Sequence, residues 1–80
     1  MNTLRFTGAE PAILKVHHTR YLVEVLHMRL RDAKHLTDDI LEGRAREVDV
    51  PAELAELHAQ TLRILGAKVE VVPERRVGAA

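Results

Sequence analysis

Five histidines are the side chains of this sequence best suited to hold a metal ion or to transfer a proton at neutral pH. His17 and His18 are adjacent, and on a strand they point to opposite faces, so they cannot readily chelate one ion. On a continuous helix, His27 and His35 lie about 80° apart. His35 and Asp39 are one helical turn apart, but two ligands do not make a zinc site. The pattern therefore predicts solvated histidines and no metal centre.

His58 stands apart because it lies among Leu54, Leu62 and Leu65 in a helical pattern. A catalytic histidine needs a nucleophile or an orienting carboxylate, and the sequence supplies no obvious one; it also has no cysteine. The pattern favours a partly buried structural histidine, hydrogen-bonded to backbone or water. Its neutral form is expected to make stability sensitive to pH near about 6 to 6.5.

The remaining acidic residues and the glycines are typical of a solvated surface and of turns, and they do not indicate catalysis. Asp38 with Asp39, and Glu53 with Glu56, are pairs on helical patterns, where solvated carboxylates are the usual case. None of the four glycines belongs to a phosphate-binding loop. We therefore expect no enzyme activity, no catalytic residue and no cofactor.

Basic residues cluster around the junction of two helical patterns. They are Arg29, Arg31 and Lys34, with Arg44 and Arg46 on the strand pattern that follows. A nucleic-acid patch is one interpretation, but the net charge is zero, and one Phe and one Tyr give few platforms for stacking bases. Solvated charge, or the rim of a protein-docking surface, is favoured.

Length and composition indicate one small globular domain. The 80 residues are 46% hydrophobic and 30% charged, so the core must be mainly aliphatic. The N-terminus does not have the pattern of a secretory signal, and no apolar run approaches the roughly 20 residues of a membrane span. A soluble cytoplasmic protein is the simplest expectation.

The elements from Leu30 onward are the most clearly marked. Apolar residues of the LRDAKHLTDDIL segment fall within about 140° of a helical wheel, and Gly43 suits the helix end. A strand is expected over Arg44 to Val50, and a helix from Pro51 to Gly66. Val69, Val71 and Val72 supply the last strand, which Pro73 closes. The core face of the third helix is expected to carry Leu54, Leu57, Ile64 and Leu65, with Leu62 at its edge.

The N-terminal part is ambiguous. Thr3 to Thr7 alternates as a strand does, and a turn follows. Ala12 to His17 fits either a strand or the start of a long helix that would place two histidines on the core stripe. Because that burial is costly, a strand is favoured, with Thr19 as the N-cap of a helix running to about Met28.

These elements predict an α+β fold of order β-α-α-β-α-β. Its three-stranded antiparallel sheet is covered on one face by three helices, with room for an extra N-terminal strand. Residues 1–11 are assigned to an N-terminal extension or extra strand, residues 12–73 to the single domain, and residues 74–80 to a frayed tail.

Three segments of the sequence resemble a known family. Leu22 to Arg29 reads LVEVLHMR, Leu30 to Leu36 follows without a gap as LRDAKHL, and Leu65 to Val71 reads LGAKVEV. They are similar to the C-terminal domain of the bacterial ribosomal stalk protein. There, a helix ending V-R-x-V-T-G-L-G is followed by L-K-E-A-K-x-L, and the domain closes with A-G-A-x-V-E-V. The resemblance covers roughly Leu22 to Val72.

The resemblance implies a docking function. In that family the first two helices form a surface for GTP-hydrolysing translation factors. Carried over by position, Met28, Leu30, Arg31 and Lys34 would lie on or beside such a surface. An apolar centre with flanking cations suits an acidic, amphipathic partner helix.

The sequence also departs from the family. His27 and Arg29 replace two family glycines, so the helix junction is expected to turn differently. We expect the chain to begin almost at the domain itself, without the dimerisation segment and hinge of the stalk protein. The resemblance therefore implies a free-standing relative.

A second relative by fold is the adaptor that delivers substrates to the bacterial Clp protease. Its F-V-V-E-V-L segment is similar to YLVEVL at Tyr21 to Leu26, but the acidic N-D-D run with which it grips an N-terminal amine is missing. We therefore predict a non-catalytic protein-interaction module. An adaptor or regulator of the same fold is the alternative, and a small RNA- or DNA-binding domain is the next. A homodimer paired through an exposed sheet edge is left open.

Overall fold

The computed structural model describes residues 1–73, which form one antiparallel sheet of three strands and three helices. In chain order the elements are β1 (Asn2–Ala9), α1 (Lys15–Glu24), α2 (Leu30–Leu41), β2 (Arg46–Val50), α3 (Ala52–Leu65) and β3 (Ala67–Val72). The predicted α+β fold and its β-α-α-β-α-β order are confirmed. The tail predicted for residues 74–80 lies outside the described residues.

The sheet has the order β2-β1-β3, so the first strand of the chain is its centre. Leu4 of β1 pairs with Val48 of β2 on one side and with Val71 of β3 on the other. Along β1, Leu4 and Phe6 are fully buried, whereas Arg5 and Thr7 are exposed. This alternation is typical of an antiparallel sheet with one covered face.

Charged residues occupy the uncovered face of the sheet. Arg5 lies opposite Glu47 on β2 and opposite Glu70 on β3, and its guanidinium is 3.8 Å from the Glu70 carboxylate. The Thr3 hydroxyl donates a hydrogen bond to Asp49 (2.8 Å). Opposite charges on neighbouring strands stabilise this pairing modestly and keep the face hydrated.

Helix α2 forms where its periodicity predicts. Ala33, Leu36 and Ile40 of α2 are buried in the core. The chain turns out of the helix at Gly43, whose φ of 81° is the left-handed conformation that glycine adopts without strain. The amphipathic stripe alone was sufficient to place this element.

Helix α3 has the predicted ends but a different core face. Pro51 precedes its first turn, and Gly66 ends it in the left-handed conformation. The expectation that Leu54, Leu57 and Ile64 face the core is wrong, because all three are exposed. The buried positions are instead Ala55, His58, Ala59 and Leu62. Two of these are alanines, whose small side chains allow the helix backbone to approach the sheet closely.

Helix α1 corrects the expectation for the N-terminal part. Ala12 lies in a turn and the helix begins at Lys15, with Leu14 at its N-cap, so the strand favoured for Ala12 to His17 and the N-cap assigned to Thr19 are wrong. The helix also ends at Glu24, before the predicted Met28. The extra strand considered for the N-terminus is β1 itself, since Asn2–Ala9 supplies the only strand before α1 in residues 1–73.

We expect Gly66→Ala to destabilise the fold strongly. The φ of Gly66 is 110°, and a Cβ added there would lie 2.5 Å from the Cα of Ile13. Gly43→Ala is the matched control, because nothing lies within 4 Å of its added Cβ although its φ is also positive. Urea denaturation should show a loss of about 1 kcal/mol for Gly43→Ala and at least about 3 kcal/mol for Gly66→Ala. Equal losses would contradict the close approach of Ile13 to Gly66.

Candidate functional site

An open groove of about 520 Å³ lies between α1 and α2. We call it the α1–α2 groove. Its lining residues from α1 are Lys15, Val16, Thr19, Arg20, Val23 and Glu24, and those from α2 are Leu30, Lys34, Thr37 and Asp38. All ten come from these two helices, so the groove exists only while they keep their spacing.

The walls of the α1–α2 groove are apolar and face solvent. Val16 is 76% exposed and Leu30 is 55% exposed, and Val23 of α1 is partly buried because it packs against the core. Large aliphatic side chains that stay this exposed on adjacent helices are a common feature of protein-binding grooves.

Positive charge predominates among the groove residues without an ion partner. Arg20 is paired with Glu24 of its own helix (3.0 Å). Lys15 and Lys34 have no carboxylate within salt-bridge distance in residues 1–73, and Asp38 has no basic partner there. Two uncompensated ammonium groups against one carboxylate favour an acidic ligand.

The structure brings together two of the four residues predicted for docking. Leu30 and Lys34 line the α1–α2 groove, one helical turn apart on α2. Arg31 is exposed on the same helix but does not line the groove. Met28 lies in the connection before α2 and packs against the core, so it is partly buried.

The α1 wall of the groove was missed from the sequence. Lys15, Val16 and Thr19 belong to the first turns of α1, a segment for which a strand or a helix cap was expected. The signal that could have found them is the spacing of Val16, Thr19 and Val23, which fall on one side of a helix begun at Lys15.

A buried polar contact joins the two helices beneath the groove. His18 of α1 is fully buried, and its Nδ1 lies 2.9 Å from Oγ1 of Thr37 on α2. Thr19 Oγ1 lies 3.0 Å from the same Thr37 atom. The ring of His18 also meets the ring of Phe6 edge-on, with centroids 5.9 Å apart, so it reaches the central strand. The expectation that His18 is a solvated histidine is wrong, whereas His17, His27 and His35 are exposed as predicted.

The hydrogen bonds of Thr37 determine the state of His18. The Thr37 hydroxyl lies 3.0 Å from the Ala33 carbonyl, to which it can donate. In that arrangement it accepts from His18, and Nδ1 carries the proton. Nε2 is then an unprotonated nitrogen, buried and without a hydrogen-bond partner. A proton added to Nε2 would be a buried N–H without an acceptor. Burial accordingly lowers the pKa of His18 to about 4.

A second buried histidine ties α1 to α3. His58 is 5% exposed, and its Nδ1 lies 2.8 Å from the hydroxyl of Tyr21 on α1. Burial lowers the pKa of His58 below its ordinary value. The prediction of a structural His58 is confirmed in its burial, but its partner is a tyrosine side chain instead of backbone or water.

The basic residues Arg44, in the connection before β2, and Arg46, the first residue of β2, are compensated by acidic residues nearby. Arg46 and Arg44 both bind the Asp39 carboxylate at the end of α2, and Arg44 also lies 2.8 Å from Glu42. The hydrogen bond from Arg46 has the largest effect and that from Arg44 the next largest, and together they hold the pKa of Asp39 below its usual value. Paired in this way, Arg44 and Arg46 offer little free charge to a phosphate backbone.

The described part of the chain lacks two other kinds of feature. Residues 1–73 contain no group of three or more His, Asp or Glu side chains placed to hold a metal ion. Among the helices described, none has the length and apolar character needed to cross a bilayer.

Comparisons with protein-family models, with curated proteins and with solved structures gave no match.

We expect acid to destabilise the fold through His18. In the folded chain His18 stays neutral until the pH approaches 4, whereas the unfolded chain binds a proton below about 6.5. The unfolded state therefore binds more protons in this window, so the free energy of unfolding falls as the pH drops from 6.5 towards 4, by up to about 3 kcal/mol.

Urea denaturation across this pH range measures the effect. His18→Leu should flatten the pH profile because it removes the titrating ring. Thr37→Val should lower stability by about 1 to 3 kcal/mol at neutral pH, yet keep the steep profile, because the buried ring remains. A His18→Leu profile that parallels the wild type would contradict the assignment of this histidine.

Proposed function

We propose that this domain is a non-catalytic docking module that binds an acidic, amphipathic helix in the α1–α2 groove. One observation carries the proposal: exposed Val16 and Leu30 face solvent between two helices, beside ammonium groups that have no ion partner among residues 1–73. A helix laid in such a groove buries its apolar face against the walls and its carboxylates meet the lysines.

The charge arrangement also determines how binding should respond to salt. Lys15 lies at the start of α1, and Lys34 lies one turn into α2, so the cations come from both walls of the groove. Rim charges of this kind increase the association rate and orient the partner, and their effect weakens as salt screens them.

The resemblance of Leu22 to Val72 to the ribosomal stalk domain supports a translation factor as the partner. The order of elements agrees with that resemblance, and the groove lies between the first two helices, where the family docks its partners. Within this proposal, Leu30 and Lys34 contact the partner directly and Arg31 lies outside the groove. Met28 supports the start of α2 from the core side.

The two alternative functions have less support in the site. A Clp-type adaptor needs an anion near the start of α1 to hold an N-terminal amine, and that neighbourhood holds His17 and the buried, neutral His18. A nucleic-acid domain would use Arg44 and Arg46, which are bound to Asp39.

We expect Lys34→Glu to weaken binding to an acidic amphipathic helix by at least about tenfold, equivalent to about 1.4 kcal/mol. The reason is that it places a carboxylate beside the carboxylates of the ligand. Arg31→Glu should weaken binding less, because Arg31 acts only through its longer-range charge. The probe is a synthetic fluorescent helix of about 15 residues with Leu on one face and Glu on the other, and the measurement is fluorescence anisotropy.

Lys68→Glu is the matched control. Lys68 is an exposed lysine on β3, on the far side of the sheet, so the same charge change should leave the affinity within about twofold. Affinity capture from lysate with the wild type and both variants then shows whether natural partners depend on Lys34. If Lys34→Glu and Lys68→Glu change the affinity equally, the groove is not the binding surface.

A further inference from the structure

Strand β3 has one edge that no strand of the described chain covers. The sheet order β2-β1-β3 leaves β3 paired with β1 alone among residues 1–73. A depression of about 410 Å³ lies along this edge. Its lining includes Ala67 to Glu70, four consecutive residues whose side chains alternate between the two faces of the sheet. Backbone N–H and C=O groups on the edge of a sheet can pair with a further strand.

The side chains of β3 carry opposite charges on either side of a buried valine. Lys68 and Glu70 are exposed on the uncovered face of the sheet, whereas Val69 between them is buried. Lys68 has no carboxylate within salt-bridge distance in residues 1–73. Glu70 lies 3.8 Å from Arg5, and both side chains are at least half exposed, so this ion pair is weak. Both charges of β3 can therefore bind a further partner.

A second copy of β3 complements this pattern when the two strands run antiparallel. A two-fold axis through Val69, perpendicular to the sheet, sets Lys68 of each copy opposite Glu70 of the other. On the covered face, Val69 then meets its own copy, and Ala67 meets Val71. Opposite charges on neighbouring strands stabilise their pairing. An axis through Lys68 or Glu70 would instead bring two like charges together.

The other edge of the sheet lacks this complementarity. Strand β2 has Glu47 and Asp49 on the uncovered face, opposite Arg5 and Thr3 of β1. The corresponding axis through Val48 would set Glu47 of one copy opposite Asp49 of the other. Because like charges directly opposite each other destabilise strand pairing, a second copy is expected at β3 and not at β2.

We propose that the edge of β3 is the interface of a homodimer in which the two three-stranded sheets join into one antiparallel sheet. The helices of both copies lie on the same face of the joined sheet, since the two-fold axis is perpendicular to it. The residues that line the edge are distinct from those of the α1–α2 groove. Dimerisation therefore goes beyond the docking function and does not depend on it.

Arg63 of α3 limits the strength of this dimer. It lies at the edge of β3, and its Nε donates a hydrogen bond to the Val69 carbonyl (3.0 Å). That oxygen keeps a second lone pair for a backbone N–H, so Arg63 restricts access to the edge without removing the acceptor. Charged side chains are a common protection of edge strands. With one short strand from each copy, we expect a dissociation constant on the order of 100 μM.

Charge reversal at the paired positions tests the proposal. In sedimentation equilibrium of the full chain, the wild type should shift from monomer to dimer between about 10 μM and about 1 mM. Lys68→Glu and Glu70→Lys each bring like charges together across the axis, so each should weaken the dimer at least about tenfold. An equimolar mixture of the two variants should recover dimerisation, and so should the double variant, because opposite charges meet again.

Glu47→Lys is the matched control, since Glu47 and Glu70 lie opposite the same Arg5 on the two edges of the sheet. It should dimerise as the wild type does. All variants should keep the circular-dichroism spectrum and bind the synthetic acidic helix within about twofold of the wild type, which separates this test from that of the α1–α2 groove. The proposal is overturned by a wild type that stays monomeric, by single variants that dimerise like the wild type, or by a double variant that does not recover.

Discussion

The hydrogen bond between His18 and Thr37 is the contact on which the candidate site depends. It joins α1 to α2 from inside the domain, directly below the groove that the two helices form. Helix α1 is short and begins without a side-chain cap, so packing has to hold it in place. The Tyr21–His58 contact secures the other side of α1 against α3. Both contacts use neutral, buried histidines, and the spacing of the groove walls is therefore linked to the ionisation of the core.

The domain divides its surfaces between different tasks. Cross-strand pairs such as Arg5 with Glu70 keep the outer face of the sheet polar. The salt bridges of Asp39 with Arg44 and Arg46 fasten the end of α2 to the start of β2 and use up the basic charge there. Uncompensated lysines remain at the α1–α2 groove, and uncovered aliphatic residues remain there and on α3.

Local patterns in the sequence predicted most of the fold. The stripe of α2, Pro51 before α3, and Gly66 after it all act within a few residues of themselves, so a single sequence reveals them. The errors lie where the deciding contact is distant. Burying His18 in a helix is costly unless its ring has a hydrogen-bond partner. That partner is Thr37, which lies far along the chain. Likewise, a helical wheel shows two apolar arcs on α3, and only the sheet determines that Ala55 and Ala59, not Leu57 and Ile64, face it. Leu30 and Lys34 were predicted because they follow a recognisable motif, whereas the spacing of Val16, Thr19 and Val23 becomes a signal only once a helix is known to begin at Lys15.

The most direct test of binding in the α1–α2 groove is to map where an acidic amphipathic helix binds, residue by residue. Amide chemical shifts of the ¹⁵N-labelled domain should be followed by NMR as the synthetic helix is added at low salt. Binding in the α1–α2 groove predicts that the largest shifts occur at Val16, Val23, Leu30 and Lys34, on both walls of the groove, and that they diminish as salt is raised. Shifts centred on Leu57 and Ile64, or on the outer face of the sheet, would contradict it.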